Sequence, residues 1–192
     1  MRKDMNFTLP KDYDQYEFIR ELQEQYLVHQ EKTVSERYVY YDTFDWRLYN
    51  KSLILCSTAQ ALLLQSLDTH TVLERATITT PPVFLSDVPS CSLQEKIAPI
   101  IEMRALLRLF AMDTQFTCIR IMNNDAKTVV RLLYETGTIA EAKDAPPFDT
   151  CLWLKPVRGY EKEAKRFFQW LINKGLTLSH NYLYLQGLAA VE

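Results

Sequence analysis

Five residues in the second half of the chain carry charge on or beside its strand candidates. Arg120, Lys127, Arg131 and Lys155 are basic, and Glu135 is acidic. Arg131, Leu133 and Glu135 recur at every second position, so in a strand they share one face. Arg120 joins that face if its own strand pairs in the matching register. Turned inward, the set makes a basic pocket with one carboxylate, and such cations buried without an anion are costly. Turned outward, the same alternation is an ordinary solvated strand face. Both readings stay open on the sequence. For Glu135 an ion pair with Arg131 or Arg120 outranks metal ligation, because one carboxylate makes a poor magnesium site.

A second stretch, YYDTFDWRLYN at 40–50, mixes aromatics with two aspartates and an arginine. The bland reading is a strand that ends in a turn. Asp42 and Thr43 then hydrogen-bond the local backbone while Tyr41, Trp46 and Leu48 pack. The chemical reading makes Asp42 or Arg47 a ligand contact. The spacing favours the turn.

The remaining reactive residues are scattered. Cys56, Cys91, Cys118 and Cys151 share no C-x-x-C spacing, which speaks against a zinc site. Wide spacing without a signal peptide suits reduced thiols and a cytoplasmic setting. His29, His70 and His180 lie far apart, and four glycines leave no phosphate loop of the Walker type. With 22 basic and 24 acidic residues the net charge is −2, which gives no global pull toward nucleic acid or acidic membranes. No apolar run approaches the roughly 20 residues of a membrane span.

The elements that must position these residues follow from periodicity. Residues 12–28 read as an amphipathic helix, with Asp12 and Gln15 as a capping pair. ERYVYY at 36–41 is strand-like. Residues 52–68 suit a hairpin turning near Ser57 to Gln60, and TVLERATIT at 71–79 a strand ended by prolines. Ser92 with Glu95 marks a capping box for a short helix through Ile101. ALLRLFAM is ambiguous between helix and strand. TQFTCIRIMN, the turn NNDAK at 123–127 and TVVRLLYE form the clearest hairpin in the chain. After a loop at 140–149, TCLWLKPV at 150–157 is a strand. Residues 160–175 are a helix with Ala164, Phe167, Phe168 and Leu171 buried and Gly175 past its end. With Trp170, this helix is apolar on more than one side, which points to two packing partners. The tail from Leu176 is a closing helix or the start of something larger. Seven or eight strands with flanking helices make an α+β domain on a curved antiparallel sheet or barrel.

YYDTFDWRLYNKSLIL, PPVFLSDVP, the stretch from IIEMRALLRLF through NNDAKTVVRLLYE, and LWLKPVRGYEKEAKRF occur in this order. Together they resemble the CYTH domains, the triphosphate tunnel metalloenzyme superfamily, over roughly residues 34–170. The likeness is closest to members in which CYTH precedes a helical CHAD domain. It implies one domain over 1–192: an α+β, eight-stranded, closed or nearly closed antiparallel tunnel with flanking helices. Residues 160–192 become a C-terminal segment that docks a CHAD domain or a second subunit. In active members Lys and Arg line the tunnel for a triphosphate, and Glu holds Mg²⁺ or Mn²⁺. That chemistry is sound, because a phosphate chain needs several cations in a confined space.

This chain departs from that pattern. Where active members open on Glu-x-Glu-x-Lys, the residues before Phe7 are Arg2, Lys3, Asp4, Met5 and Asn6. From Leu53 to Leu73 no basic residue occurs. The expectation is a degenerate, non-catalytic module that binds polyphosphate or another polyanion through Arg120, Lys127, Arg131 and Lys155. The alternatives are a metal-dependent enzyme, either a triphosphate hydrolase or a nucleotide cyclase of the same superfamily, with Glu135 at the metal, and an interaction domain with no ligand.

Overall fold

The computed structural model describes residues 4–9, 14–141, 146–180 and 182–191. Arg2, Lys3 and Asp12 lie outside them. The chain forms two compact units. Unit 1 is Met1–Ser35, Thr114–Thr138 and Ala145–Ala190; unit 2 is essentially Glu36–Asp113 with Ile139–Asp144.

Unit 1 contains β1 (Met5–Thr8), α1 (Gln15–Gln25), β2 (Leu27–Gln30), the second part of β7 (Leu107–Met122), β8 (Thr128–Ile139), β9 (Cys151–Pro156), α3 (Glu161–Asn173), β10 (Thr177–Leu178) and α4 (Leu183–Val191). Asp14 caps α1, accepting from the Tyr16 N–H. The helix ends at Gln25, short of the expected Val28. Tyr26 is extended, and Leu27 to Gln30 pair with Met122 to Ile119 instead. Alternate residues of the strands bury into one cluster with the helices: Phe7, Ile119, Ile121, Val130, Leu132, Leu152 and Leu154 against Phe18, Leu22, Phe167 and Leu171. Phe168 meets Phe7, and Trp170 meets Phe18 and Tyr26. The two apolar sides of α3 are thus both occupied within unit 1.

Unit 2 contains β3 (Val34–Asp42, mostly), β4 (Leu53–Ser57), β5 (Ala61–Ser66), β6 (Val72–Thr77), α2 (Ser92–Ile101) and the start of β7. Tyr41, Leu55, Leu62, Leu64 and Ala76 pack under Leu93, Ile97 and Ile101 of α2. The expected capping box at Ser92 does not form. Cys91 is the N-cap position without a side-chain bond, and the Ser92 hydroxyl goes to Glu74 on β6. ALLRLFAM resolves as strand, because it continues into β7.

Among the described residues the strands form an antiparallel set of ten, in the order β10-β1-β9-β8-β7-β3-β4-β5-β6, with β2 paired to β7. This corrects the eight-stranded closed barrel. Among the described residues the ordered path ends at β10 and at β6. Neither suits closure: β10 has two residues, and β6 carries Glu74 and Arg75 ahead of Pro81 and Pro82. No helix of the described residues is long and apolar enough to cross a membrane.

Candidate functional site

The turn after β3 is structural. Asp42 is buried, and its Oδ1 accepts from the backbone N–H groups of Thr43 at 2.7 Å and Leu48 at 3.0 Å. Its Oδ2 accepts from Tyr49 N–H at 2.9 Å, and Thr43 Oγ1 accepts from Arg47 N–H. Tyr41 and Leu48 are buried, while Trp46 is half-buried at a left-handed φ of 55°. Arg47 pairs with Asp45 and Glu102 and donates to the Ile100 carbonyl. Asp42, Thr43 and Arg47 are thereby engaged in the local fold.

The basic residues of unit 1 do gather. Val130, Leu132 and Tyr134 take the core side of β8, so Arg131, Leu133 and Glu135 take the other. Ile119 and Ile121 likewise leave Cys118 and Arg120 on that second face. On β9, Arg131 stands directly opposite Lys155, Leu133 opposite Trp153, and Glu135 opposite Cys151. On β1, Asn6 stands opposite Trp153. The Cys118 thiol reports the convergence. Burial and then Glu31 push it up, while Arg131 and Arg120 both pull it down. Lys127 does not join. It is exposed in the β7–β8 turn, where its N–H is held by Asn123 Oδ1.

Two of the three gathered cations have counter-ions from this chain. Arg120 Nε lies 3.1 Å from Glu31, an ion pair without the alignment of a hydrogen bond. Lys155 Nζ lies 3.8 Å from Asp4. Arg131 is exposed and forms no ion pair among the described residues. Sequence reasoning missed the role of Glu31. Its signal was the short strand Leu27–Gln30, hidden inside an amphipathic pattern.

Glu135 is committed to Trp153, whose indole N–H donates to it at 2.9 Å. Burial raises its carboxyl above the ordinary range, against the opposing pull of that hydrogen bond and of Lys155. Tyr182 stacks on Trp153 with ring centroids 5.3 Å apart. From α4, Gln186 accepts from the Asp149 N–H and donates to its carbonyl. Asn6 is buried beside Cys151. This end of the second face is therefore packed by the chain itself.

One face of unit 2 is apolar at its centre. Opposite the α2 side, β3, β4 and β5 carry Tyr40, Ile54, Cys56, Ala61 and Leu63, all buried, and Tyr40 packs on Phe110 at 4.8 Å. Tyr40, Cys56, Leu63 and Arg75 form one row across four strands. Arg75, on the outermost strand, is that row's only cation, and it is exposed.

A divalent ion does not fit this donor set. Mg²⁺ and Mn²⁺ ask for several uncommitted oxygens. Glu135 is held by an indole, Asp4 by Lys155 and Glu31 by Arg120. Among the described residues no three His, Cys, Asp or Glu are grouped to hold a metal.

No protein-family model matches the sequence, and no curated protein matches it. Solved structures do match the fold. A Hippeastrum protein, a candidate adenylyl cyclase with a dominant triphosphatase activity, is 13% identical with a TM-score of 0.63, over 100% of this chain and 97% of that one. A candidate adenylate cyclase from Bacillus halodurans is 14% identical with a TM-score of 0.59, over 93% and 92%. Another from Vibrio parahaemolyticus is 12% identical at 0.51, over 97% and 96%. At these identities the likeness is one of fold: the chain shares the α+β, antiparallel architecture of these three proteins.

Proposed function

We propose that this chain is a CYTH-type domain that binds a polyanion of the phosphate-chain class without turning it over. The observation that carries the reading is the convergence of Arg120, Arg131 and Lys155 on one face of unit 1, with Arg131 directly beside Lys155. Adjacent cations at this spacing repel each other and gain from a shared anion. The apolar row on β4 and β5 supports the non-catalytic half of the proposal. Phosphoryl transfer needs cations and metal around the reacting phosphate, and those strands supply neither. Four free cysteines support a cytoplasmic setting. A CHAD or second-subunit partner rests on the sequence resemblance alone, since unit 1 accounts for both apolar sides of α3.

The alternative, a metal-dependent triphosphate hydrolase, is favoured by the triphosphatase activity of the Hippeastrum protein. One pair of experiments separates the readings. Tripolyphosphate should bind in calorimetry, weaken as salt rises, and lose roughly tenfold or more in Arg131→Ala/Lys155→Ala. Phosphate release with Mg²⁺ or Mn²⁺ should stay at background. Metal-stimulated release that Arg131→Ala abolishes would establish the hydrolase. No binding of tripolyphosphate at any salt would leave a ligand-free interaction domain.

A further inference from the structure

Strand β2 brings a further titratable group to the face that gathers Arg120, Arg131 and Lys155. In the β2–β7 ladder His29 stands directly opposite Arg120. Residues directly opposed in an antiparallel pair put their side chains on the same side of the sheet. The neighbouring residues agree. Val28 packs against the core cluster of unit 1, so His29 takes the other side. Glu31, two residues further on, reaches Arg120 there. We infer, on the polyanion reading of this same face, that His29 is its fourth basic group and makes its hold on a phosphate chain tighten as pH falls through neutrality.

The charges on the face set the sign. Among the described residues Arg120, Arg131 and Lys155 are its cations, and Glu31, Asp4 and Glu135 its carboxylates. With a neutral imidazole and all three carboxylates ionised, the two sets balance. A protonated His29 tips the face positive. Glu135 works in the same direction. It is half-buried, burial raises its carboxyl, and its neutral form leaves the cations in excess. Cys118 opposes neither, because burial and then Glu31 push its thiol up and keep it neutral.

Histidine is the side chain whose ordinary titration lies between about pH 5 and 8. His29 is exposed on a strand whose one partner among the described residues is β7, so both protons and a ligand reach it. An imidazolium offers two N–H donors, which suits phosphate oxygens. Beside Arg120 a second positive charge is disfavoured, and an anion lying across both groups relieves that repulsion. A bound anion therefore raises the pH at which His29 ionises. By linkage, the extra affinity is full below the imidazole's value in the free protein. It falls as pH rises and is gone above the value in the complex.

Calorimetric titration of the full chain with tripolyphosphate, at constant ionic strength and at about pH 5.5 and about pH 8, is the test. Relative to His29→Gln, the parent should bind about three- to fivefold more tightly at the lower pH and equally at the higher, as suits an exposed charge contact. Comparing the two chains cancels the ligand's own titration. His29→Arg should hold the tighter binding at both pH values, and Glu135→Gln should keep the step that His29→Gln removes. Imidazole proton resonances give a second readout. Tripolyphosphate should move the titration of His29 to higher pH and leave that of His70, in unit 2, in place. The same pH dependence in parent and His29→Gln, or a His29 titration that the anion does not move, would overturn the role of His29 and leave the polyanion reading standing. No binding by the parent at either pH would overturn both.

Discussion

Glu135 and Asp42 show how little a residue's type decides. Both are acids set among strands and aromatics. Asp42 has three backbone N–H donors aimed at it and acts as a structural acceptor. Glu135 has one indole donor, and burial raises its carboxyl despite that bond and despite Lys155. The sign for stability follows from linkage. Its folded value lies above the unfolded one near 4.5, so the folded state holds more protons than the unfolded between the two. Stability contributed by the neutral form is full below the unfolded value and is lost as pH rises through the folded one. Glu135→Gln keeps an oxygen for the Trp153 N–H and removes the titration. The variant should be more stable than the parent at neutral pH by on the order of 1 kcal/mol, and the gap should close as pH falls through the folded value toward 4.5, with no further change below it. Urea titrations at several pH values measure it. A variant less stable than its parent at neutral pH would show that ionised Glu135 is well paired.

Two turns carry the same left-handed backbone instruction, one met by a glycine and one by an alanine, and they test whether the elements end where local chemistry says they should. Helix α3 closes with Gly175 at φ 84°; its N–H bonds the Ile172 carbonyl, and the Leu176 N–H bonds that of Leu171. That double bond is the glycine-ended helix stop. A Cβ at Gly175 meets nothing within 4 Å, so Gly175→Ala carries backbone strain alone, about 1 kcal/mol of lost stability. The β7–β8 turn instead places Ala126 at φ 57°. There Ala126→Gly should stabilise by about 0.5–1 kcal/mol. Denaturant midpoints should move in opposite directions with the slope unchanged. A shared sign would mean that packing, not backbone conformation, sets these positions. The glycine stop was legible in the sequence; the left-handed Ala126 within the expected turn was not. Also legible were the β7–β8 and β4–β5 hairpins and the inward turn of YYDTFDWRL, because turn chemistry and alternation are local. What stayed hidden was non-local. Leu27 to Gln30 read as helix until Met122 to Ile119 offered them a ladder. The face shared by Arg120 and Arg131 depended on register across a hairpin. The counter-ions Asp4 and Glu31 sit far from Lys155 and Arg120 along the chain.

At the scale of the molecule, the open ends of the strand order raise the question of what keeps copies from pairing. Among the described residues β6 has no neighbour beyond β5, and Val72 and Leu73 on it are exposed. A free apolar edge invites another strand, and charges are a common guard. Two copies of β6 meeting antiparallel about a two-fold axis must set residues of like parity opposite each other. The symmetric registers of fullest overlap then centre on Glu74 facing Glu74 or Arg75 facing Arg75, like charges directly opposed. Glu74 is partly neutralised by Lys96 and Ser92, so Arg75 is the stronger guard. Arg75→Val removes the repulsion from one register and adds a β-branched residue to an already apolar strand. Sedimentation velocity should then show larger species growing with concentration in the variant beyond any seen in the parent, and a further Val72→Lys change should reverse it. Identical concentration dependence in the variant and parent would mean that the edge is shielded by something other than its charges.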